Sequence, residues 1–420
     1  MEIINNFDEA RAVLEKYTPK KAVAYHPYKL DTIRALMKYL GSPQDSLRII
    51  HIAGTSGKTS SAYYAAALLS QSGKKVGLTV SPHVTEINER LQINMVPMPE
   101  TQYCQQLTKF IEIVNKSSIT PSYFEMLVAF AYWQFSLLKV DYAVIEVGLG
   151  GLLDGTNVVN RADKVCLITD IGLDHTNVLG NTLEAIALQK AGIIGERNTV
   201  FSYRQGPQID RVFTRVAKNK NAALHLINKS QVTPNTESLP LFQQRNFYLA
   251  LAAFSYISHR DNLSKLSDEQ IASAAHSHIP GRMEIFRLGG KVLIIDGSHN
   301  AQKIHALVSA IKAQFPDQAV AALVSFVYGG EKRLDGAMKE ISDLTNNLVI
   351  TSFSGKQDSI KHSINPKQIA SVARKFKLNP KIITNPHSAL KFLEDQSEPI
   401  LVVTGSFFLL NHIRPSLLSS

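Results

Sequence analysis

Short apolar runs alternate with helix-like segments along the first half of the chain. Four runs predict buried strands, at 47–52, 76–80, 142–147 and 165–171. Segments whose apolar residues recur every three or four positions predict helices, at 30–40, 122–138, 183–194 and 247–257. Near-continuous apolar strands separated by helices are typical of a parallel sheet covered on both faces.

The pattern breaks at Pro280-Gly281-Arg282 and then starts again. Further strands are predicted at 292–295, 320–324, 348–351 and 400–403, again alternating with helices. We therefore place a domain boundary between Pro280 and Gly290, giving one domain at 1–283 and a smaller one at 284–420. Two α/β domains that face each other suggest a cleft for two substrates.

Two stretches are predicted to be loops. The polar stretch 229–240 is predicted to be a surface loop, and the proline-containing stretch 89–99 a second loop.

The first strand runs into a glycine loop, Gly54-Thr55-Ser56-Gly57-Lys58-Thr59-Ser60, and an alanine-rich segment follows it. Strand, glycine loop and helix form a phosphate cradle, because loop N–H groups and the helix N-terminus both attract an anion. Lys58 would reach the outer phosphates, and the Thr59 hydroxyl could hold Mg²⁺. Position 52 is Ile where the strict pattern has Gly, so the loop is a shortened variant. The alternative is an ordinary turn before a surface helix, with Lys58 in solvent.

Polar residues follow the predicted strands at the edge where parallel sheets bind ligands: Lys58, Ser81, Glu146 and His175. Glu146 is a candidate Mg²⁺ ligand, or else it hydrogen-bonds the loop backbone. Histidine is an unusual Mg²⁺ ligand, so a capping or substrate-binding role is equally open for His175.

Two further polar residues leave two interpretations each. Lys190 lies on an apolar helical face, and its spacing alone favours a side chain that extends to solvent over one that serves the site. Asp296 follows a strand of the second domain, where it would bind ribose hydroxyls or stabilise a turn.

Net charge, the length of apolar runs and the cysteines limit the classes of partner and location that we expect. The net charge of +10 could indicate nucleic acid, but no arginine-rich run supports that, and anionic small molecules explain it equally well. We expect no nucleic-acid partner. We also expect no membrane span, because no apolar run reaches about 18 residues. The N-terminus does not resemble a signal peptide, and Cys104 and Cys166 form no disulfide framework, so a cytoplasmic location is expected.

Taken together, the motifs resemble the folylpolyglutamate synthase/dihydrofolate synthase family of the Mur ligase superfamily, over about 49–405. Nine blocks match in order: Gly54–Ser60, Ser81-Pro82-His83, Asn88-Glu89-Arg90, 146–157, Asp174-His175, Lys190-Ala191-Gly192-Ile193, Pro280-Gly281-Arg282, 296–300 and Thr404-Gly405-Ser406. The resemblance implies a P-loop-containing parallel-sheet ATPase domain followed by a smaller Rossmann-like α/β domain. It also implies ATP-dependent addition of L-glutamate to a folate or dihydropteroate carboxylate through an acyl phosphate. We expect a monomer.

The resemblance also implies roles for single residues. Gly54 to Ser60, Asn246, Arg282 and Asp296 would bind ATP. Ser81 and Glu146 would hold one Mg²⁺, to which the loop pattern adds the Thr59 hydroxyl, and Glu146 and His175 would hold a second. Lys190 would be carbamylated. Phe124 and Asp154 would line the pterin pocket, and His299 and Ser406 would bind substrate where glutamate lies.

The sequence departs from the family pattern in two places, and the second, at Leu152, affects the acceptor more than the ATP chemistry. Thr59 stands where the family loop, usually GTNGKGS, has Gly. Leu152 and Gly155 stand in a block usually written GGRLDATN, and Leu152 removes a cation. A Mur-type ligase acting on a different acid, or a catalytically silent nucleotide-binding module, are the alternatives. The ligand set Lys58, Glu146, His175 and Lys190 is complete, which argues against the silent module.

Overall fold

The computed structural model describes residues 3–18, 29–228, 236–328, 331–356 and 360–418. The chain divides into two compact units, Met1–Ser277 and His278–Ser420. Most of the predicted loop at 229–240 lies outside the described residues, as do Gly329 and Gly330. Among the helices that the structure describes, none combines the length and apolar character needed to cross a membrane.

The first unit contains a large sheet and the helices around it. Its strands are β1 Arg48–Ala53, β2 Val76–Thr79, β3 Gln92–Ile93, β4 Val96–Pro97, β5 Tyr142–Glu146, β6 Val165–Ile168, β7 Thr199–Tyr203 and β8 Ala223–Ile227. Its helices are α1 Phe7–Glu15, α2 Asp31–Tyr39, α3 Lys58–Gln71, α4 Glu100–Asn115, α5 Tyr123–Leu137, α6 Thr176–Leu179, α7 Leu183–Ala191, α8 Pro207–Asn219, α9 Leu241–Arg260 and α10 Asp268–Ala275.

Strand β1 lies inside this sheet, between β5 and β6. The described strands follow the order β4-β3-β2-β5-β1-β6-β7-β8. All pairs are parallel except those of β3 with β2 and with β4, which are antiparallel and form one edge. The predicted parallel sheet is confirmed, and the four strands whose ends carry the candidate site, β2, β5, β1 and β6, are neighbours.

Helices cover both faces of the sheet. A cluster built from α1, α2, α4 and α5 covers one face around Ile49, and α7 and α8 cover the same face around Ala53. Helices α3, α9 and α10 pack together against the other face. Helix α3 is buried from Thr59 to Leu69, as expected for a helix that is apolar or small on every side.

Several elements were not predicted. Stretch 89–99, expected to be a loop, contains part of a 3₁₀ helix, Ile87–Arg90, and the short strands β3 and β4. A two-residue strand is too short to show an alternating pattern, so sequence patterning cannot reveal it. Helix α4 and the segment β7-α8-β8 were also missed.

The second unit repeats the architecture on a smaller scale. Its strands are β9 Glu284–Leu288, β10 Lys291–Ile295, β11 Val320–Val324, β12 Asn347–Ile350, β13 Ser354–Lys356, β14 Ile360–His362, β15 Lys381–Ile382 and β16 Ile400–Thr404. Its helices are α11 Ala301–Gln314, α12 Glu331–Ser342, α13 Pro366–Lys375, α14 Pro386–Glu394 and α15 Phe407–Leu418.

In the described part of this unit, the main sheet has the order β15-β12-β11-β16-β10-β9. It is parallel except for β9, which pairs antiparallel with β10. Strands β11 and β16 are buried throughout, which explains why their apolar runs identified them.

Candidate active site

Two glycines give the loop between β1 and α3 its shape. Gly54 has φ +152° and Gly57 has φ +88°. A Cβ atom at Gly54 would lie 1.7 Å from Thr169 Oγ1, and one at Gly57 would lie 2.2 Å from Asn246 Oδ1. Both positions therefore require glycine, because the backbone takes a conformation that side chains disfavour and passes too close to its neighbours. The same contact places Asn246, on α9, beside the start of α3.

The chain after β6 fixes the first half of this loop. The N–H groups of Thr55 and Ser56 donate to the carbonyl of Asp170, at 2.8 and 3.3 Å. The Thr55 hydroxyl also donates to the carbonyl of Gly172 and accepts from its N–H, both at 3.1 Å. The loop is thus preorganised by a neighbouring strand.

Residues 56, 58 and 60 complete the loop. Lys58 is partly exposed and its Nζ donates to the carbonyl of Gly54 at 3.1 Å, while Ser60 is buried. Within the part of the chain that the structure describes, the buried Ser56 Oγ has no hydrogen-bond partner. A buried hydroxyl without a partner fits a position that contacts a ligand.

A cation on α9 supports the same loop from behind. Arg245 Nε lies 3.1 and 3.0 Å from the two carboxylate oxygens of Asp170, and its Nη2 lies 2.7 Å from Oδ1. Its guanidinium also lies over the Tyr203 ring, 3.7 Å from the ring centre. Sequence analysis missed Asp170 and Arg245. The only signal was their position, beside a predicted strand end and next to Asn246.

Glu146 joins two elements of the site. It ends β5 directly beside Ile52 of β1, and it is 3% exposed. Thr59 Oγ1 donates to its Oε1 at 2.9 Å, and the N–H of Ser81 donates to its Oε2 at 3.3 Å. Ser81 precedes a cis peptide bond to Pro82. The structure therefore brings three of the predicted metal-binding residues together.

These donors suit Mg²⁺, which prefers carboxylate, hydroxyl and water oxygens. Among the described residues, no group of three His, Cys, Asp or Glu side chains is arranged to hold a metal ion. Mg²⁺ in nucleotide sites is commonly held by one or two carboxylates together with phosphates and water, so a single buried carboxylate beside a phosphate loop fits such a site.

His175 lies on the loop after β6 and starts the short helix α6. It has φ +51°, and its N–H donates to Asp174 Oδ1 at 3.0 Å. Its side chain is 50% exposed, and Nε2 lies 3.9 Å from Asp174 Oδ1. The imidazole can therefore be reached by a ligand, while Asp174 fixes its backbone.

Lys190 is buried, with 4% of the residue exposed. The alternative in which its side chain extends to solvent is therefore wrong. The segment after β5 packs against this end of α7: the N–H of Leu152 donates to Gln189 O at 2.7 Å. Asn157 Nδ2 donates to the carbonyls of Leu152 and Gly192 at 3.1 and 3.0 Å. Leu152 itself packs beside Gly192 and is 41% exposed.

Phe124 and Asp154 meet at Gly148. A Cβ atom on Gly148 would lie 2.5 Å from Phe124 Cζ and 3.3 Å from Asp154 Oδ2. Asp154 Oδ2 accepts from the N–H of Leu149 at 2.7 Å, and Oδ1 accepts from the N–H and the hydroxyl of Thr156 at 3.0 and 2.5 Å. Burial raises the pKa of Asp154, and these hydrogen bonds and the Lys58 charge oppose that rise.

Phe124 also lines a cleft that reaches the metal-binding residues. Ser81, Arg90, Glu146 and Thr156 line the same cleft. Arg90 is buried and its Nε donates to His83 Nδ1 at 3.0 Å. Sequence analysis assigned no role to Arg90 or Thr156, although both lie inside matched blocks.

In the second unit, Asp296 stabilises a turn. Its Oδ2 accepts from the N–H of Met283 at 2.9 Å, and its Oδ1 accepts from the N–H of Ser298 at 2.8 Å. Met283 has φ +49°. The turn-stabilising interpretation describes these contacts, and binding of ribose would use the remaining acceptor capacity of the carboxylate.

The other predicted residues of this unit lie around the same turn. His299 Nδ1 lies 2.8 Å from the carbonyl of Gly297, and its Nε2 lies 3.1 Å from Lys303 Nζ. Arg282 lies over the Phe407 ring, 4.4 Å from its centre. Ser406 Oγ accepts from the N–H of Phe408 at 3.1 Å and begins the approach to α15.

A buried ion pair supports this turn from below. The Glu284 side chain is 2% exposed. It accepts from Arg414 Nε and Nη2, both at 2.9 Å, from His278 Nε2 at 2.8 Å and from the N–H of Gly281 at 2.8 Å. Burial acts to raise the pKa of Glu284, but these hydrogen bonds and the charge of Arg414 hold it at about 2.

Comparison with known proteins places both units in described families. Residues 52–283 match the Mur ligase middle domain, and residues 281–407 match the Mur ligase glutamate ligase domain. The chain is 31% identical over 363 residues to the dihydrofolate synthase/folylpolyglutamate synthase of Mycobacterium tuberculosis, covering 77% of this chain and 74% of that protein. It is 28% identical over 419 residues to the Bacillus subtilis protein of the same description, covering 92% and 94%.

The fold is also similar to a solved structure. Folylpolyglutamate synthase of Mycobacterium tuberculosis, complexed with ADP, superposes with a TM-score of 0.83 at 26% identity, covering 98% of each chain.

Proposed function

Since the chain belongs to the dihydrofolate synthase/folylpolyglutamate synthase family of the Mur ligases, we propose a role for each part of the site described above. The protein is an ATP-dependent ligase that joins L-glutamate to a folate or dihydropteroate carboxylate and releases ADP and phosphate. One observation carries the assignment: Glu146 contacts Thr59, at the phosphate loop, and Ser81, at the cleft lined by Phe124.

The chemistry requires two displacements. A carboxylate oxygen of the acceptor attacks the γ-phosphorus of ATP, the bond to ADP breaks, and an acyl phosphate forms. The glutamate amine then attacks the acyl carbon, phosphate leaves and the amine loses a proton. In this proposal Gly54 to Ser60 bind the phosphates, and Lys58 offsets the charge that develops on the transferred phosphoryl group.

We assign the metal-binding groups from the oxygen atoms of Thr59, Ser81 and Glu146 and from the imidazole of His175. Thr59, Ser81 and Glu146 would hold one Mg²⁺, and Glu146 with His175 would hold a second. Bound Mg²⁺ would offset phosphate charge and orient the reacting oxygens. The buried Glu146 carboxylate supports the first site, and the exposed imidazole of His175 supports the second.

We propose that Lys190 is carbamylated. Burial disfavours a charged ammonium, and a nearby Mg²⁺ would disfavour it further. The neutral amine adds to CO₂ with loss of one proton, which gives a carbamate anion able to orient the water ligands of a metal.

The remaining assignments rest on the family resemblance. Phe124 and Asp154 would bind the heterocycle of the acceptor, and their meeting at Gly148 supports this. Asn246, Arg282 and Asp296 would contact the nucleotide, and His299 and Ser406 would lie where glutamate binds. The two cysteines are free and buried, which agrees with the cytoplasmic location that we propose.

The test is phosphate release with ATP, Mg²⁺ and L-glutamate, in three parallel reactions with dihydropteroate, tetrahydrofolate or no acceptor. We expect release that requires both glutamate and at least one of the two acceptors. Release that is equal with and without acceptor would contradict the proposed function, and release with neither acceptor but with another carboxylic acid would favour the alternative Mur-type ligase.

Lys58→Ala tests whether the phosphate loop is the catalytic ATP site. Lys58 is partly exposed at the start of α3, so its removal should leave the melting temperature nearly unchanged while phosphate release is abolished. Substantial turnover in folded Lys58→Ala protein would exclude this loop as the ATP site.

A further inference from the structure

His51 is a polar side chain in the middle of an apolar strand. It lies on β1, three residues before Gly54, and it is fully buried. Ile49 and Ala53, on the same face of the strand, belong to two different hydrophobic clusters, one around α5 and one around α7. His51 therefore lies at the junction between them, directly under the loops of the site.

A chain of hydrogen bonds leads from His51 to Asp154. His51 Nε2 lies 2.8 Å from Thr156 Oγ1, and Thr156 Oγ1 donates to Asp154 Oδ1 at 2.5 Å. The threonine hydroxyl has one hydrogen and gives it to the carboxylate, so His51 Nε2 must carry the proton of its own bond. Burial and the charge of Lys164 lower the pKa of His51 well below its ordinary value, which agrees with a neutral ring.

Hydrogen bonds also fix the backbone of Thr156. Its N–H donates to Asp154, and its carbonyl accepts from Tyr132 Oη at 3.0 Å. The remaining freedom of Thr156 is rotation of its hydroxyl group. Because the His51 N–H donates to the hydroxyl oxygen, the hydroxyl hydrogen points toward the carboxylate of Asp154. Asp154 Oδ1 then has two donors from one residue, while its Oδ2 accepts from the N–H of Leu149 and lies beside Gly148 and the Phe124 ring.

We propose that His51 is a positioning residue for the acceptor: through Thr156 it orients Asp154, so that the acceptor capacity that Oδ2 retains beside its bond to the Leu149 N–H faces a flat heterocycle packed on Phe124. The proposal rests on the proposed function, because it needs a heterocyclic acceptor that carries N–H donors. It adds a residue from the strand of the phosphate loop to the machinery that selects the acceptor.

The fold by itself gives no reason for histidine at this position. Within the described residues, His51 Nδ1 is buried and has no hydrogen-bond partner, which is unfavourable for stability. An apolar side chain of similar size would remove that unsatisfied atom, but the Thr156 hydroxyl would lose the N–H that directs its hydrogen toward Asp154. Loss of the imidazole should therefore affect the orientation of the hydroxyl more than the stability of β1.

The test compares His51→Leu with His51→Gln by steady-state kinetics and by binding. Leucine removes the donor at similar volume, and the glutamine amide keeps an N–H near the position of Nε2. We expect His51→Leu to raise the KM for dihydropteroate or tetrahydrofolate at least tenfold, with the KM for ATP within twofold of wild type. His51→Gln should recover most of the acceptor affinity. Thr156→Val should match His51→Leu, and the double variant should be no worse than either single one.

Three outcomes would overturn the proposal. His51→Leu with an unchanged acceptor KM would show that the hydrogen-bond chain has no role in binding. Equal defects in His51→Leu and His51→Gln, or equal rises in the KM for ATP and for the acceptor, would indicate a structural role only. If the wild-type protein ligates glutamate to neither acceptor, the proposed function itself fails, and this inference fails with it.

Discussion

Replacing Gly57 with alanine isolates the contact between the phosphate loop and α9. Gly57 has φ +88°, where an L-residue costs about 1–2 kcal/mol. The new Cβ atom would lie 2.2 Å from Asn246 Oδ1, against the 3.4 Å at which ordinary contacts begin. The Asn246 amide would therefore have to move by about 1 Å, away from the place where we propose that it contacts the nucleotide.

Gly73 provides a matched control just beyond the other end of α3. It follows the end of α3 with φ +79°, and among the described residues no atom lies within 4 Å of the Cβ position. Gly73→Ala therefore carries a similar backbone cost without the collision. Chemical denaturation should show a loss of about 1–2 kcal/mol in the free energy of unfolding for each variant.

Only Gly57→Ala should weaken nucleotide binding. Titration calorimetry with ADP measures that affinity directly. We expect at least a tenfold rise in Kd, which corresponds to about 1.4 kcal/mol. Gly73→Ala should bind ADP as the wild type does. Wild-type ADP affinity in folded Gly57→Ala protein would refute the reasoning, because it would mean that neither loop shape nor the position of Asn246 matters for binding.

Three further predictions concern charged groups. Glu146→Gln should reduce turnover more than His175→Ala, because Glu146 is assigned to two metal ions and His175 to one; equal activity and equal Mg²⁺ dependence would contradict that assignment. Lys190→Ala should be inactive and partly rescued by short carboxylic acids, whereas Lys190→Arg should not be rescued, and near-normal activity of Lys190→Arg would refute the carbamate. Glu284→Gln should lose about 3 kcal/mol of unfolding free energy at pH 7, since a pKa lowered from 4.5 to about 2 stabilises the folded state by that amount. Because the folded pKa is the lower one, this contribution is present above about pH 4.5 and lost as pH falls toward 2, so denaturation curves of variant and wild type should converge there.

Most strands could be predicted because they are buried on both faces. The run Val320–Val324 was located to the residue, since each of its side chains is covered and none needs to be polar. Helix α4 was missed although Tyr103, Cys104, Leu107, Phe110 and Val114 follow helical spacing. It begins after Pro99, with no side-chain cap to mark its start.

Some residues of the candidate site could also be predicted from the sequence, and others could not. Residues that end strands or line glycine loops, such as Glu146, are visible as polar interruptions of an apolar pattern. Arg245 and His51 could not be assigned because their partners are distant in sequence: Asp170 lies 75 residues from Arg245, and Thr156 lies 105 residues from His51. Burial of Lys190 depends on how the segment after β5 packs, which helical spacing alone does not determine.

The position of β1 between β5 and β6 also determines when during synthesis the phosphate loop can form. Ile52 pairs with Glu146 on one side and with Leu167 on the other, and the loop N–H groups bond to the carbonyl of Asp170. A ribosome must therefore have released the chain beyond Gly172 before the loop that begins at Gly54 has its partners. Closing contacts of this separation is slow, so nucleotide binding should be acquired late in folding, after the sheet has assembled around β1.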